Sequence, residues 1–330
     1  KRKLTERELE EIVMEIQNGE YKDENDYDFI ESEGSETEDL EKTDIVEDDV
    51  FETFTAQNPE EKASLFSNKI TGGQPAVPHS FPHQVALQIE VPLGTAFCGG
   101  SILSETVILT AAHCVETVKT AKVIVGAHNL QNDEPTTQTF NSTRFIVHEE
   151  WSMLFKHNDI ALIILEQNIE FNDNVKKIEL PVDGETVADG QEATVSGWGI
   201  TEDGSQTVSP ELNYVTANIL PLRECNKFYF GLLDNTQICL NGENGKSSCR
   251  GDSGGALITK SESKTVQIGI VSFGIIFGCE IGYPGTTVEQ QSNQVTELAA
   301  ESPELKHSNP DHPPLFLAAA QNLQKCWTYL

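Results

Sequence analysis

Positive charge is scarce in this chain of 330 residues: 22 Lys and Arg stand against 53 Asp and Glu, a net of −31 with histidine neutral. Nucleic-acid binders neutralise phosphates with clustered Lys and Arg, so a chain this acidic excludes that class of partner. Long apolar runs are missing too. No stretch approaches the roughly 18 apolar residues of a membrane helix, and no membrane span is expected. The chain opens Lys1-Arg2-Lys3 with no apolar stretch behind it. No signal peptide is read there, so either one has been removed or the sequence is a fragment. Cysteine is absent from residues 1–69, which excludes a disulfide-knit module in that segment.

The charge is unevenly spread. Residues 1–69 carry 23 Asp and Glu against 8 Lys and Arg, and residues 70–330 carry 30 against 14. Thr5 can cap a helix with Glu8 as its capping-box partner. Leu9, Ile12, Val13 and Ile16 then share one face before Asn18-Gly19 ends it. From residue 20 to about 67 the chain is acidic and without period, which reads as disorder. Residues 1–69 are expected to form an acidic, mostly disordered leader or propeptide.

Three short segments carry chemistry. Gly251-Asp252-Ser253-Gly254-Gly255 sets a serine among glycines, with Cys249 just upstream. Thr110-Ala111-Ala112-His113-Cys114 holds a histidine, and Asn158-Asp159-Ile160-Ala161-Leu162 holds an aspartate. Each alone has an ordinary meaning: a turn serine, a packed histidine, a turn-capping aspartate. Together, in the order His, Asp, Ser, they resemble the chymotrypsin/trypsin family of serine endopeptidases, closest to insect chymotrypsins and brachyurin-like proteases. That order excludes an esterase of the α/β-hydrolase type. The resemblance implies Ser253 as nucleophile, His113 as its base and Asp159 as the group that orients the imidazole. It implies the N–H groups of Gly251 and Ser253 as an oxyanion hole. It implies no cofactor and no metal. In Gly126-Ala127-His128-Asn129, Ala127 stands where the calcium loop of vertebrate trypsins needs a glutamate, so no calcium site is expected.

Lys69-Ile70-Thr71-Gly72-Gly73 is similar to the family's activation site, with Thr71 in place of the usual Val. In the family a cut after the basic residue frees an ammonium, here that of Ile70. The ammonium pairs with the aspartate before the nucleophile, here Asp252. The resemblance thus implies a zymogen, a trypsin-like activating protease as partner, and protein or peptide substrates. It also pairs Cys98 with Cys114, Cys225 with Cys239 and Cys249 with Cys279, leaving Cys326 over. Three bridges imply an oxidising compartment and a secreted, extracellular protein. Asn141-Ser142-Thr143 is a glycosylation sequon, consistent with a surface position.

Within residues 70–285, β-rich runs recur between turn signals at 84–91, 107–110, 123–126, 139–147, 161–165, 194–197, 212–220, 256–259 and 266–273. Such spacing predicts an all-β sandwich or barrel. The resemblance sharpens this to an all-β, chymotrypsin-like fold of two antiparallel six-stranded β-barrels with the active site between them. Ser196-Gly197-Trp198-Gly199 matches a landmark near their junction.

In the family the residue six before the nucleophile lies at the base of the primary pocket. Here it is Ser247, which carries no charge, and the walls would come from Gly274 and Gly285. An open, uncharged slot implies a preference for Phe, Tyr or Leu. Ser272-Phe273-Gly274 would pair with the substrate backbone as an added strand. Arg250 at the rim is expected to favour acidic residues on the leaving side. Brachyurins usually carry an aspartate at the position of Gly285, so collagen cleavage is not expected.

After Gly285 the resemblance stops. Residues 286–330 show no barrel-closing strand, and only 315–330 suggest a short helix. A divergent tail and an unpaired barrel edge are therefore expected. That gap supports an alternative, a non-catalytic homologue acting as a binding module.

Overall fold

The computed structural model describes residues 70–289 apart from 92–93, 154–156, 182–186, 206, 262–263 and 275–277, together with residues 295 and 298. The acidic leader with its expected helix, Lys69, the helix expected over 315–330 and Cys326 lie outside the described residues.

In chain order the strands of the first half are β1 (Gln74–Pro75), β2 (Gln84–Val91), β3 (Gly94–Ile102), β4 (Val107–Thr110), β5 (Ala121–Val125), β6 (Gln138–Ser142), β7 (Phe145–Val147) and β8 (Ala161–Ile164). A one-turn helix, α1 (Ala112–Val115), follows β4. The second half holds β9 (Glu192–Gly197), β10 (Asn213–Leu220), the one-turn helix α2 (Leu222–Cys225), β11 (Gln237–Leu240), β12 (Ala256–Ser261), β13 (Lys264–Phe273) and β14 (Gly285–Glu289).

Two antiparallel sheets result. The second runs β1-β10-β11-β14-β13-β12-β9, and β9 also pairs with β10, so six of its strands close into a barrel. The first runs β6-β5-β2-β3-β4-β8-β7. Its end strands β6 and β7 are one strand bent at Thr143 and Arg144. The Ile164 N–H donates to the Arg144 carbonyl at 3.0 Å, and the Ser142 hydroxyl donates to the Ile164 carbonyl at 2.8 Å. The bend curls this sheet back on itself.

Alternation explains the faces. Along β10, Asn213, Val215, Ala217 and Ile219 are buried while the residues between them are more open. The second barrel is filled by Val195, Val215, Leu257, Ile268 and their neighbours. The first is filled by Val85, Leu87, Ile108, Leu109, Leu162 and Ile163, all fully buried. Removing such a side chain from water is worth about 1.5–3 kcal/mol each. Trp198, at the landmark between the barrels, is 1% exposed and donates its indole N–H to the His128 carbonyl at 3.0 Å. Disulfides join Cys98 to Cys114, Cys225 to Cys239 and Cys249 to Cys279. Asn141 of the sequon is exposed. Among the described residues no helix is long and apolar enough to cross a membrane.

The break expected after Gly285 is not there. β14 lies in the middle of the second sheet, pairing with β11 from Gln237↔Val288 to Leu240↔Gly285 and with β13 on its other side. Thr286, Thr287 and Val288 are buried. Gly-Thr-Thr-Val-Glu contains a single aliphatic residue, too little to show a period; pairing on both sides makes it a strand regardless. Farther on, Val295 and Leu298 are helical and buried against the first core. The unpaired edge is overturned, and with it the ground for the non-catalytic alternative.

If β14 closes the barrel, Val288→Ala removes two buried methyl groups and leaves a void. Urea unfolding is expected to show a loss of about 2–3 kcal/mol; unchanged stability would contradict the burial of this strand.

Candidate active site

The chain delivers a histidine, an aspartate and a serine to one cleft from three local devices. His113 sits on α1, which the Cys98–Cys114 disulfide ties to β3. Asp159 precedes β8, after Asn158 turns the backbone through a positive φ of 52°. Asparagine tolerates this left-handed conformation better than most residues. Ser253 lies in the turn before β12, and its carbonyl accepts the Gly99 N–H of β3 at 2.7 Å. That bond joins the Ser253 segment of the second barrel to the first.

Gly254 is required here. A Cβ at this position would stand 2.2 Å from Thr110 Oγ1 and 2.6 Å from the Gly99 carbonyl oxygen. Any side chain would push the two barrels apart.

Asp159 has no solvent exposure. Its Oδ2 lies 2.7 Å from His113 Nδ1 and accepts the Ser272 hydroxyl at 2.5 Å, while Oδ1 accepts the His113 backbone N–H at 2.9 Å. Burial alone would raise its pKa. The hydrogen bond and charge of the His113 ring, the Ser272 hydroxyl and the His113 N–H together outweigh burial and hold it below the ordinary carboxylate value. The His113 side chain is 22% exposed, so the ring opens toward the cleft. Cys114 Sγ lies 3.8 Å from His113 Nε2 and 3.6 Å from the Ser253 carbonyl oxygen. The His113 ring and the Ser253 segment thus flank one sulfur atom. Among the described residues no hydrogen bond yet joins the Ser253 hydroxyl to the ring, and the Gly251 and Ser253 N–H groups donate to no acceptor.

Asp252 is buried completely. It accepts the Gly199 N–H at 2.8 Å and the Cys249 N–H at 2.9 Å. Burial nevertheless pushes its pKa up to about 6, since two backbone donors compensate only in part. Gly199 makes room for it: a Cβ there would meet the carboxylate oxygens at 2.4 and 2.6 Å. Ile70 is fully buried in the second core.

Ser247 is 8% exposed and donates its hydroxyl to the Ser248 carbonyl at 2.8 Å. A Cβ at Gly285 would lie 3.4 Å from Ser247 Oγ, so these two positions face one another, and among the described residues nothing lies within 4 Å of one at Gly274. Phe273 on β13 is braced edge-on by Tyr229, with ring centroids 5.8 Å apart. Arg250 is exposed and donates to the Ser205 carbonyl at 3.2 Å.

Two contributions escaped the sequence. The Ser272 hydroxyl, expected only as part of a backbone strand, reaches across the barrel junction to Asp159. Thr71 donates its hydroxyl to the carbonyls of both Ser247 and Cys279, at 3.1 Å each, and its own carbonyl accepts the Ser247 N–H at 3.1 Å. The departure from Val at position 71 was a visible signal for the second. Two clusters bring His, Cys or Asp atoms within metal-binding reach, Cys98-His113-Cys114 and Asp203-Cys249-Cys279. Their sulfurs are bonded in disulfides and offer no thiolate.

A family model described as Trypsin matches residues 70–295. Brachyurin of Leptuca pugilator is 40% identical over 215 residues, covering 65% of this chain and 91% of that protein. Chymotrypsin of Phaedon cochleariae is 38% identical over 218 residues, covering 66% of this chain and 76% of that protein. A solved structure of HL collagenase superposes with a TM-score of 0.62 at 32% identity, covering 70% of this chain and 98% of its own.

Because the folded pKa of Asp252 is raised, this one carboxyl contributes stability that is fully present below its unfolded pKa near 4 and is lost as pH rises through about 6. The loss is roughly 3 kcal/mol. By urea unfolding of the uncut protein, the stability of the wild type relative to Asp252→Asn is expected to fall by this amount between pH 4 and 8. Parallel curves for the two proteins would refute the assignment.

Proposed function

The chain belongs to the trypsin family of serine endopeptidases and acts on protein or peptide substrates; from this we propose that it is a secreted zymogen whose cleaved form cuts after large apolar residues through an acyl-enzyme on Ser253. The observation that carries the proposal is the buried Asp159, bonded to the ring and backbone of His113 beside the Ser253 segment.

Ser253 Oγ attacks the scissile carbonyl carbon while His113 Nε2 takes its proton. Asp159 keeps the ring in the tautomer with Nδ1–H toward the carboxylate and stabilises the imidazolium. This scheme was worked out on the same family. The Gly251 and Ser253 N–H groups receive the developing oxyanion, each such donor being worth about 2.7–4 kcal/mol of transition-state stabilisation. His113 then protonates the leaving amine, and a water activated by the same ring hydrolyses the ester. Hydrogen bonds between nucleophile and base are often long before substrate binds and tighten in the complex.

Ser247 brings no carboxylate to the primary pocket, and Gly274 and Gly285 leave its walls open. A substrate Lys or Arg would enter without a counter-ion, whereas Phe, Tyr or Leu loses only water. Ser272-Phe273-Gly274 offers its backbone to the substrate as an added strand, and Arg250 favours acidic residues on the leaving side.

Activation follows from Asp252. A trypsin-like protease cutting after Lys69 frees the Ile70 ammonium, whose pairing with Asp252 removes the cost of an unpaired buried carboxylate. The full burial of Ile70 supports this. Three disulfides support secretion. Residues 1–69 serve as the propeptide and 70–285 as the catalytic core, with β14 extending that core to residue 289.

After cleavage behind Lys69, a fluorophosphonate probe is expected to label Ser253, and Ser253→Ala to abolish labelling. Peptides ending in Phe, Tyr or Leu at the cut are expected to exceed those ending in Lys or Arg by at least tenfold in kcat/KM, and Ser247→Asp to reverse the order. An unlabelled, folded and cleaved protein would refute the enzyme; unlabelled specificity changes aside, a native preference for Lys or Arg would refute the pocket.

A further inference from the structure

On the far end of the β12–β13 hairpin from Ser253 lies a cavity of about 390 Å³. It is lined by residues of the first barrel, including Phe81, His83 and Ile178, and by Ile258, Lys260 and Lys264 of the second. Its volume falls in the range of small-molecule sites rather than extended protein interfaces.

The charge of the lining runs against that of the chain. Lys176, Lys177, Lys260 and Lys264 all line this cavity, in a protein with a net charge of −31. The lining holds one carboxylate residue, Glu179. Lys176 has a further neighbour in Asp173, at 3.6 Å, and both of these side chains are exposed. Four ammoniums around one concavity raise the local concentration of anions.

The floor differs in character. Phe81, Pro82, Ile178 and Ile258 also line the cavity, and Phe81, Ile178 and Ile258 are buried. Among them sits His83, 3% exposed, whose Nε2 has no hydrogen-bond partner among the described residues. Burial lowers its pKa to about 4, so the ring is neutral at physiological pH and offers a polar nitrogen rather than a charge. A buried polar atom left unpaired is costly, so the His83 Nε2 atom calls for a polar partner.

We propose that this cavity binds a small amphiphilic anion, its carboxylate among the four lysines and its hydrocarbon body against Phe81, Pro82, Ile178 and Ile258, with His83 as the polar partner within. The site stands apart from the Ser253 cleft and does not depend on the catalytic scheme.

Octanoate serves as the probe, with 1-octanol for the body alone and acetate for the head alone. Calorimetric titration of the intact protein is expected to show one saturable octanoate site, at least tenfold tighter than either fragment and weakened by salt. Lys260→Gln with Lys264→Gln is expected to weaken octanoate at least tenfold, and Lys176→Gln with Lys177→Gln provides a second pair on a different segment. All four lysines are exposed, so both variants should fold. The imidazole ¹⁵N resonance of His83 should shift on titration, in the wild type and in Ser253→Ala alike, which separates this site from the primary pocket. Absence of binding, equal binding of octanol, or octanoate affinity unchanged in both lysine variants would overturn the proposal. So would a hexaglutamate peptide that binds there as tightly as octanoate.

Discussion

A carboxylate with no access to water, Asp159, is tolerated in the interior because donors from two separate sheets converge on it. An unpaired buried charge would neutralise itself by taking up a proton. Here the His113 ring, the His113 N–H and the Ser272 hydroxyl hold it ionised. His113 belongs to the first barrel and Ser272 to the second, so the ion stays stable only while the barrels remain docked. The chemistry and the domain packing are thus one constraint. Loosening the junction would weaken the orientation of the His113 ring before it disturbed the cores.

The same junction is held from the other side by backbone. The Gly99 N–H donates to the Ser253 carbonyl, and the Gly254 N–H donates to the Val271 carbonyl at 2.7 Å. These bonds position Ser253 against both sheets without using its side chain. Asp252, between Gly251 and Ser253, is the less contented carboxylate. Two N–H donors do not fully offset its burial, so the segment that carries Ser253 holds an unmet electrostatic demand. A cation brought nearby would relieve that demand and act on the same segment.

Much of the fold was legible because strands with aliphatic and β-branched residues betray their period. The runs at 84–91, 107–110, 161–165, 212–220 and 266–273 all fall on β2, β4, β8, β10 and β13. What escaped shares a cause. β3 contains Gly94, Gly99 and Gly100, β11 is four residues long, and β14 holds two threonines and one valine. β3 and β14 have too few apolar residues to signal a strand, and β11, though apolar at Ile238, Cys239 and Leu240, is too short to show a period. Each is extended because neighbours on both sides supply its hydrogen bonds. The side-chain links of Ser272 and Thr71 escaped for a related reason, since their partners lie 113 and 176 residues away.

Local chemistry determined a good deal on its own. The glycines around Ser253, the short segments about His113 and Asp159, the cysteine count and the surplus of acid all carry their meaning in a few adjacent residues. Tertiary structure alone decided that Gly285–Glu289 completes a barrel, that a hydroxyl from the opposite sheet steadies Asp159, and that four lysines from distant segments ring one cavity. Those outcomes depend on hydrogen bonds and fields between groups that only folding brings within a few ångströms, and no local pattern encodes them.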